Sequence, residues 1–163
     1  MIRVAKPADH GRIMEIYEIA KAFMRKNGNH TQWQNGYPFP DLVMEDINNG
    51  DMYVVCDGDG QVCACFGIFE GDDPTYGYIE GSWGDDTPYA AIHRVASDGT
   101  VKGIFRQAFE YASGRYSHLR IDTHEDNITM QKAVTACCFV YRGIIYVEDG
   151  TPRRAYEWVR KQA

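Results

Sequence analysis

The chain has 163 residues, 44% hydrophobic and 25% charged, which is the balance of a globular domain with a core of its own and excludes a disordered segment. Its formal charge of −6 argues against broad binding to a nucleic-acid backbone and is compatible with cationic partners such as amines. No apolar run reaches the ~18–20 residues of a spanning helix, and Met1–Val4 lead straight into a strand-like segment without a signal-peptide core. A cytoplasmic protein with no membrane or nucleic-acid partner is expected. The five cysteines (Cys56, Cys63, Cys65, Cys137, Cys138) show no C-x-x-C spacing and most lie in apolar segments. Buried free thiols in a reducing compartment, and no metal, are the expectation.

Ile2 and Val4 alternate with Arg3 as a short opening strand. Pro7 and Asp9 supply helix-start chemistry. Ile13, Ile16, Tyr17, Ala20, Phe23 and Met24 then fall on one helical face, which the basic turn Arg25-Lys26 and Gly28 end. Residues 29–40 form a loop with an unusual aromatic load, Trp33, Tyr37 and Phe39. Those rings either cover the core or wall a binding site. A second short helix starts at Asp41 and stops at Asn48-Asn49-Gly50.

Two β-type runs, Met52–Cys56 and Val62–Phe69, flank Asp57-Gly58-Asp59-Gly60 and read as a hairpin. The second is apolar on both faces, so a mid-sheet position is expected. Residues 71–88 are longer than an ordinary connection and imply a functional excursion or a short inserted strand. A strand at Ala90–Ala96, a helix at Lys102–Ala112, a strand at Leu119–Thr123 and a helix at Asn127–Cys137 follow. Phe139–Val147 is strand-like, with Gly143 marking a bulge or a close approach. Glu148 to Pro152 turn the chain into a last strand through Val159. The order predicts one α+β domain over residues 1–163.

Two helix starts closely following two strands are suited to an elongated anionic ligand, because helix N-termini offer unpaired N–H groups and partial positive charge. Gly99 and Gly103 flank the first, with Lys102 beside them; Asp122-Thr123-His124-Glu125-Asp126-Asn127 precede the second. Asp126 or Asn127 accounts for an N-cap. No G-K-[ST] occurs, so a Walker loop is excluded. His93 alternates with Arg94 on its strand, which predicts opposite faces for the two side chains.

The element order resembles the GNAT superfamily of acyl-CoA-dependent N-acyltransferases, as do particular stretches. These are Gln32-Trp33 with Gly36-Tyr37-Pro38, Ile92-His93-Arg94-Val95-Ala96, Arg120 through Asn127 with Met130-Gln131-Lys132, and Gly143-Ile144-Ile145-Tyr146. The resemblance covers essentially the whole chain. It implies a mixed, mostly antiparallel central sheet of about six to seven strands, with helices on both faces and a splay between two central parallel strands. It also implies acetyl-CoA as cosubstrate and transfer of an acetyl group to a primary amine of a small molecule, amino acid or peptide N-terminus, by direct attack in a ternary complex. It allows a homodimer.

By the same resemblance, Val95 and Ala96 would hold the pantetheine arm, Thr100, Val101, Lys102, Gly103, Ile104 and Phe105 the pyrophosphate, and Asn127 the thiol-proximal arm. Against the family signature [QR]-x-x-G-x-[GA], Thr100 and Phe105 depart and Gly103 is kept. The family's acid tyrosine, seven residues after the asparagine, is replaced by Val134. Tyr146 is the expected substitute acid. His93 and Glu80 are expected candidates for the base, with His124 and Asp122 behind them. Trp33, Tyr37 and Trp83 are expected to line the acceptor site. The replaced signature residues support a competing expectation, a CoA-binding module with weakened or lost catalysis.

Overall fold

The computed structural model describes residues Met1–Gln162. Strands β1 (Ile2–Val4), β2 (Met52–Cys56), β3 (Val62–Glu70), β4 (Glu80–Gly81), β5 (Ala90–Ser97), β6 (His118–Thr123), β7 (Val140–Tyr146) and β8 (Pro152–Val159) lie in one sheet of order β1-β2-β3-β5-β6-β8-β7-β4. Four α-helices accompany them: α1 (His10–Lys26), α2 (Pro40–Asn48), α3 (Ile104–Ser113) and α4 (Ile128–Ala136). β5 and β6 pair in parallel, at Ala90↔Leu119 and Ala91↔Arg120. The other registers determined, β1–β2, β2–β3, β4–β7, β6–β8 and β7–β8, are antiparallel. The fold is thus the expected mixed α+β type. The eighth strand is β4, inserted within residues 71–88.

Contacts gather into two compact units, Met1–Ile68 with His93–Ile104, and Phe69–Ile92 with the chain from Phe105 onward. In the first unit the helical stripe of α1 places Ile13, Ile16 and Tyr17 out of solvent against Val43 and Ile47 of α2 and Met52, Val54 and Cys65 of β2 and β3. Burial of each large apolar side chain stabilises by roughly 1.5–3 kcal/mol. Helix α1 ends in a left-handed Gly28, and the Asn29 amide donates to the Met24 carbonyl at 2.8 Å. The β2–β3 hairpin forms around Asp57, whose carboxylate accepts from the Asp59 and Gln61 amides.

In the second unit the period-2 alternation of β8 divides its neighbours. Trp158 meets the Phe109 ring of α3 edge-on at 5.1 Å, and Tyr156 meets Tyr141 at 5.7 Å. Glu157 points the other way, where residues 71–89 cover the strands through Tyr76, Trp83 and Tyr89. Asn127 caps α4 by accepting from the Met130 amide.

Several boundaries differ from the periodicity. Helix α3 begins at Ile104, not Lys102, because Gly103 holds a left-handed φ of 72° that cannot continue a helix. Strand β8 begins at Pro152, where the missing N–H is tolerated at a first strand residue. The His93/Arg94 alternation fails because Arg94 has φ 55°, a left-handed residue inside a strand. Cys138, at φ 68° behind α4, is exposed, against the expectation for its thiol; the other four cysteines are buried. Among the described residues no helix is long and apolar enough to cross a membrane.

Candidate active site

Each unit carries one group of expected site residues. In the second, β4 pairs with β7 at Glu80↔Ile144 and Gly81↔Gly143. Two strands approach this closely only where side chains are missing. A Cβ on Gly143 would stand 2.2 Å from the Glu80 carbonyl oxygen, and one on Gly81 would stand 2.2 Å from that of Arg142. The register of β7 also shifts between Tyr141 and Gly143, a bulge at the expected glycine. This pairing brings Glu80 to Tyr146, whose hydroxyl donates to Glu80 Oε1 at 2.9 Å. Both side chains are exposed, and the Tyr78 ring lies 6.4 Å from that of Tyr146. The hydrogen bond to the Glu80 carboxylate raises the Tyr146 pKa above its ordinary value.

A buried polar cluster anchors the segment that carries Glu80. Glu157, fully buried, accepts from the Gly84 amide at 2.8 Å, His118 Nε2–H at 2.7 Å and Arg142 Nε–H at 2.9 Å. Arg120 Nε stands 3.4 Å from the same carboxylate, an ion pair without hydrogen-bond alignment. The Arg120 guanidinium lies between the rings of Trp83 and Tyr89, at 4.0 and 4.1 Å. Trp83 donates its indole N–H to the Tyr76 carbonyl, and Tyr76 donates its hydroxyl to Asp122 at 2.7 Å. Trp83 and Asp122 therefore fasten this segment to the sheet.

His124 orders the loop that leads to α4. Its Nδ1 accepts from the Asp126 amide at 3.0 Å, which places a neutral ring's proton on Nε2. Burial, with Arg153 adding to it, lowers its pKa. Asn127 Oδ1 is engaged in the α4 cap. Val134 is fully buried, so the position of the expected family tyrosine belongs to the core.

In the first unit, the segment after β5 is built by Asp98. Its carboxylate accepts from the Thr100 amide and hydroxyl at 2.9 and 2.7 Å and from Arg12 of α1 at 2.7 Å. Burial pushes the Asp98 carboxyl up, but Thr100 and Arg12 outweigh it and hold the pKa below the ordinary value. Ser97 Oγ accepts from the Gly99 amide. The Thr100 amide and hydroxyl are thus engaged within the turn. The amides of Lys102, Gly103 and Ile104 have no acceptor among the described residues and suit an anionic group. Ala96 is buried in the core and Val95 half-buried.

The left-handed Arg94 sends its guanidinium to the Asp46 carboxylate at 2.6 Å and to the Tyr37 hydroxyl at 3.0 Å, and its carbonyl accepts from Tyr17. Burial raises the Asp46 carboxyl pKa against the pull of Arg94 and, more weakly, of half-buried His93. Trp33 packs edge-on against Tyr17 at 5.4 Å and covers the α1 core. Of the aromatics expected to line the acceptor site, Trp33 and Tyr37 lie in this unit and Trp83 in the other.

No family model matches the chain, and no curated protein matches it. Solved structures do. An acetyltransferase of the GNAT family from Streptococcus agalactiae 2603 is 32% identical, with 99% of this chain and 96% of that one covered and a TM-score of 0.89. The chain belongs to the GNAT family of acetyltransferases. A GNAT-family acetyltransferase from Listeria monocytogenes 4b F2365 (18% identity, 98% and 94% covered, TM-score 0.72) shares the fold. So does a ribosomal-protein-alanine N-acetyltransferase from Brucella melitensis (15%, 98% and 99%, 0.62). GNAT membership supports acyl transfer in general as the chemistry of the chain.

Sequence reasoning missed three features of this GNAT chain: the Arg94–Asp46 ion pair, the Glu157 cluster, and the buried Lys21 of α1. Two had a signal. Asp46 shares the apolar stripe of Val43 and Ile47, and Lys21 that of Tyr17 and Met24, and a charge in such a stripe implies a buried partner or a ligand. Glu157 had none, because its partners lie far along the chain.

Proposed function

We infer that this protein transfers an acetyl group from acetyl-CoA to a primary amine by direct attack, and that Glu80 and Tyr146 handle the protons. The 2.9 Å hydrogen bond between these two exposed side chains carries this reading. An amine nitrogen attacks the thioester carbonyl, the C–N bond forms and the C–S bond breaks. Glu80 takes the proton the nitrogen must lose, directly or through water, while Tyr146 gives its hydroxyl proton to the departing thiolate. The proton on Glu80 then returns to the Tyr146 phenolate, so one proton moves from nitrogen to sulfur and both residues are restored. His93 is the alternative base, supported by its place beside Asp46 and Arg94.

The family resemblance gives Val95 and Ala96 to the pantetheine arm, residues 101–105 to the pyrophosphate and Asn127 to the thiol-proximal arm. The unpartnered amides at Lys102–Ile104 support the second of these, whereas the internal bonds of Thr100 favour a turn-forming role for it. A backbone N–H near Val95, next to the left-handed Arg94, would receive the oxyanion. Trp33, Tyr37 and Trp83 remain the proposed acceptor walls, and a homodimer and a cytoplasmic location remain proposals. The second reading, a CoA-binding module without turnover, is supported by Val134 and Phe105, both buried where the family signature carries other residues.

Replacing Tyr146 by Phe and Glu80 by Gln tests the reading. General acid–base groups contribute about 10²-fold or more, so each variant should lower kcat by about that factor with CoA affinity unchanged. An unchanged kcat in both would remove the pair from the mechanism.

A further inference from the structure

An open cleft of about 480 Å³ lies within the first unit, between the C-terminal half of α1 and residues 29–36. Its volume falls in the range of small-molecule sites. Glu18, Lys21, Arg25, Asn29, His30 and Trp33 line it. Lys21 is 5% exposed and is one of the buried residues of α1. Its one hydrogen-bond partner among the described residues is the exposed Glu18, at 3.0 Å. An ammonium can donate three hydrogen bonds, so two directions remain.

Asn29 supplies an independent sign of a ligand. It is 3% exposed, and its Nδ2 donates to Gln32 Oε1 at 2.9 Å. Its Oδ1 is buried without a hydrogen-bond partner. An orphaned buried acceptor costs about 1–3 kcal/mol, and a bound donor would remove that cost. The cleft thus offers Lys21 and Arg25 to an anion, and Asn29 Oδ1 with the Glu18 carboxylate to an adjacent N–H donor. With one carboxylate against two fixed cations, it carries surplus positive charge on a chain of net charge −6. The Trp33 ring gives it an apolar wall.

We propose that this cleft binds an α-amino carboxylate, from a free amino acid to a dipeptide, with its carboxylate on Lys21 and Arg25 and its amino group on Asn29 Oδ1. The same chemistry would serve an acetyl acceptor or an effector. Only the acceptor case rests on the acetyl-transfer reading.

The test titrates the full chain, without acetyl-CoA, against L-leucine, L-leucinamide and 4-methylpentanoate while amide and side-chain NMR shifts are followed. L-leucine should saturate in the millimolar range, with its largest shifts at the Asn29 side-chain amide and the Lys21 and Trp33 backbone. The amide lacks the carboxylate and the acid lacks the amine, so each should bind at least about tenfold more weakly. Lys21→Met and Asn29→Leu should each weaken L-leucine by a similar factor. Equal binding of all three probes, no saturation by L-leucine, or shifts centred elsewhere would overturn the proposal, and each is readable on the unaltered protein if a variant fails to fold. With acetyl-CoA then added, thiol release driven by L-leucine assigns the ligand as acceptor, and binding without release assigns it as effector. Failure of CoA chemistry is thereby distinguished from failure of the cleft.

Discussion

Tyr146 and Glu80 were each legible as candidates from the sequence, but their meeting was not, since 66 positions separate them. The hydrogen bond favours the protonated tyrosine. Because Glu80 raises its pKa, the hydroxyl keeps its proton through neutral pH and beyond the ordinary tyrosine midpoint near 10. The sign of the coupling is testable. Removing the carboxylate charge with Glu80→Gln should lower the Tyr146 midpoint toward 10, read as the tyrosinate absorbance difference between parent and Tyr146→Phe proteins. A midpoint that does not move would mean that the two groups are uncoupled in solution. Arg94 shows what residue type hides. Its left-handed backbone, held by Asp46, Tyr37 and Tyr17, overturned the simple alternation expected around His93.

Helical and strand periodicity exposed most of the framework, the α1 stripe and the β2–β3 hairpin among it, while the length of residues 71–88 pointed to a functional excursion or a short inserted strand. Pairing between distant strands leaves no such local mark, and β4 reaches β7 only through Gly81 and Gly143. Gly143→Ala would place a methyl 2.2 Å from the Glu80 carbonyl oxygen at φ 152°, so backbone must move. Overpacking of this kind costs about 1–3 kcal/mol. The expected result is a lower unfolding midpoint and a kcat that falls along with the Glu80–Tyr146 contact; unchanged stability and kcat would show that β4 pairing is dispensable. Gly103 is the contrasting case. Its added Cβ meets no atom within 4 Å, and Asp tolerates φ 72° better than most residues. Gly103→Asp should therefore cost little stability, roughly 1 kcal/mol, while its charge repels phosphate and weakens CoA binding at least about tenfold. Equal CoA affinity, measured calorimetrically, would move the phosphate site away from this turn.

For the molecule as a whole, the family was legible because strand–turn–helix order and a few loop stretches recur along the full chain, and the GNAT relative at 32% identity with a TM-score of 0.89 establishes it. The groups proposed to handle protons were harder to read, since the position of the usual tyrosine is the buried Val134. The protein is proposed to be a working acetyltransferase, as opposed to a binding module. The most direct measurement is free-thiol release from acetyl-CoA across a panel of primary amines, paired with a thermal-shift titration by acetyl-CoA. Ligand at 100 times its Kd should stabilise the fold by about 2.7 kcal/mol. A working acetyltransferase gives that stabilisation together with saturable, amine-dependent release of thiol, matched one to one by acetylated amine. Stabilisation by acetyl-CoA with no thiol released by any amine would contradict it.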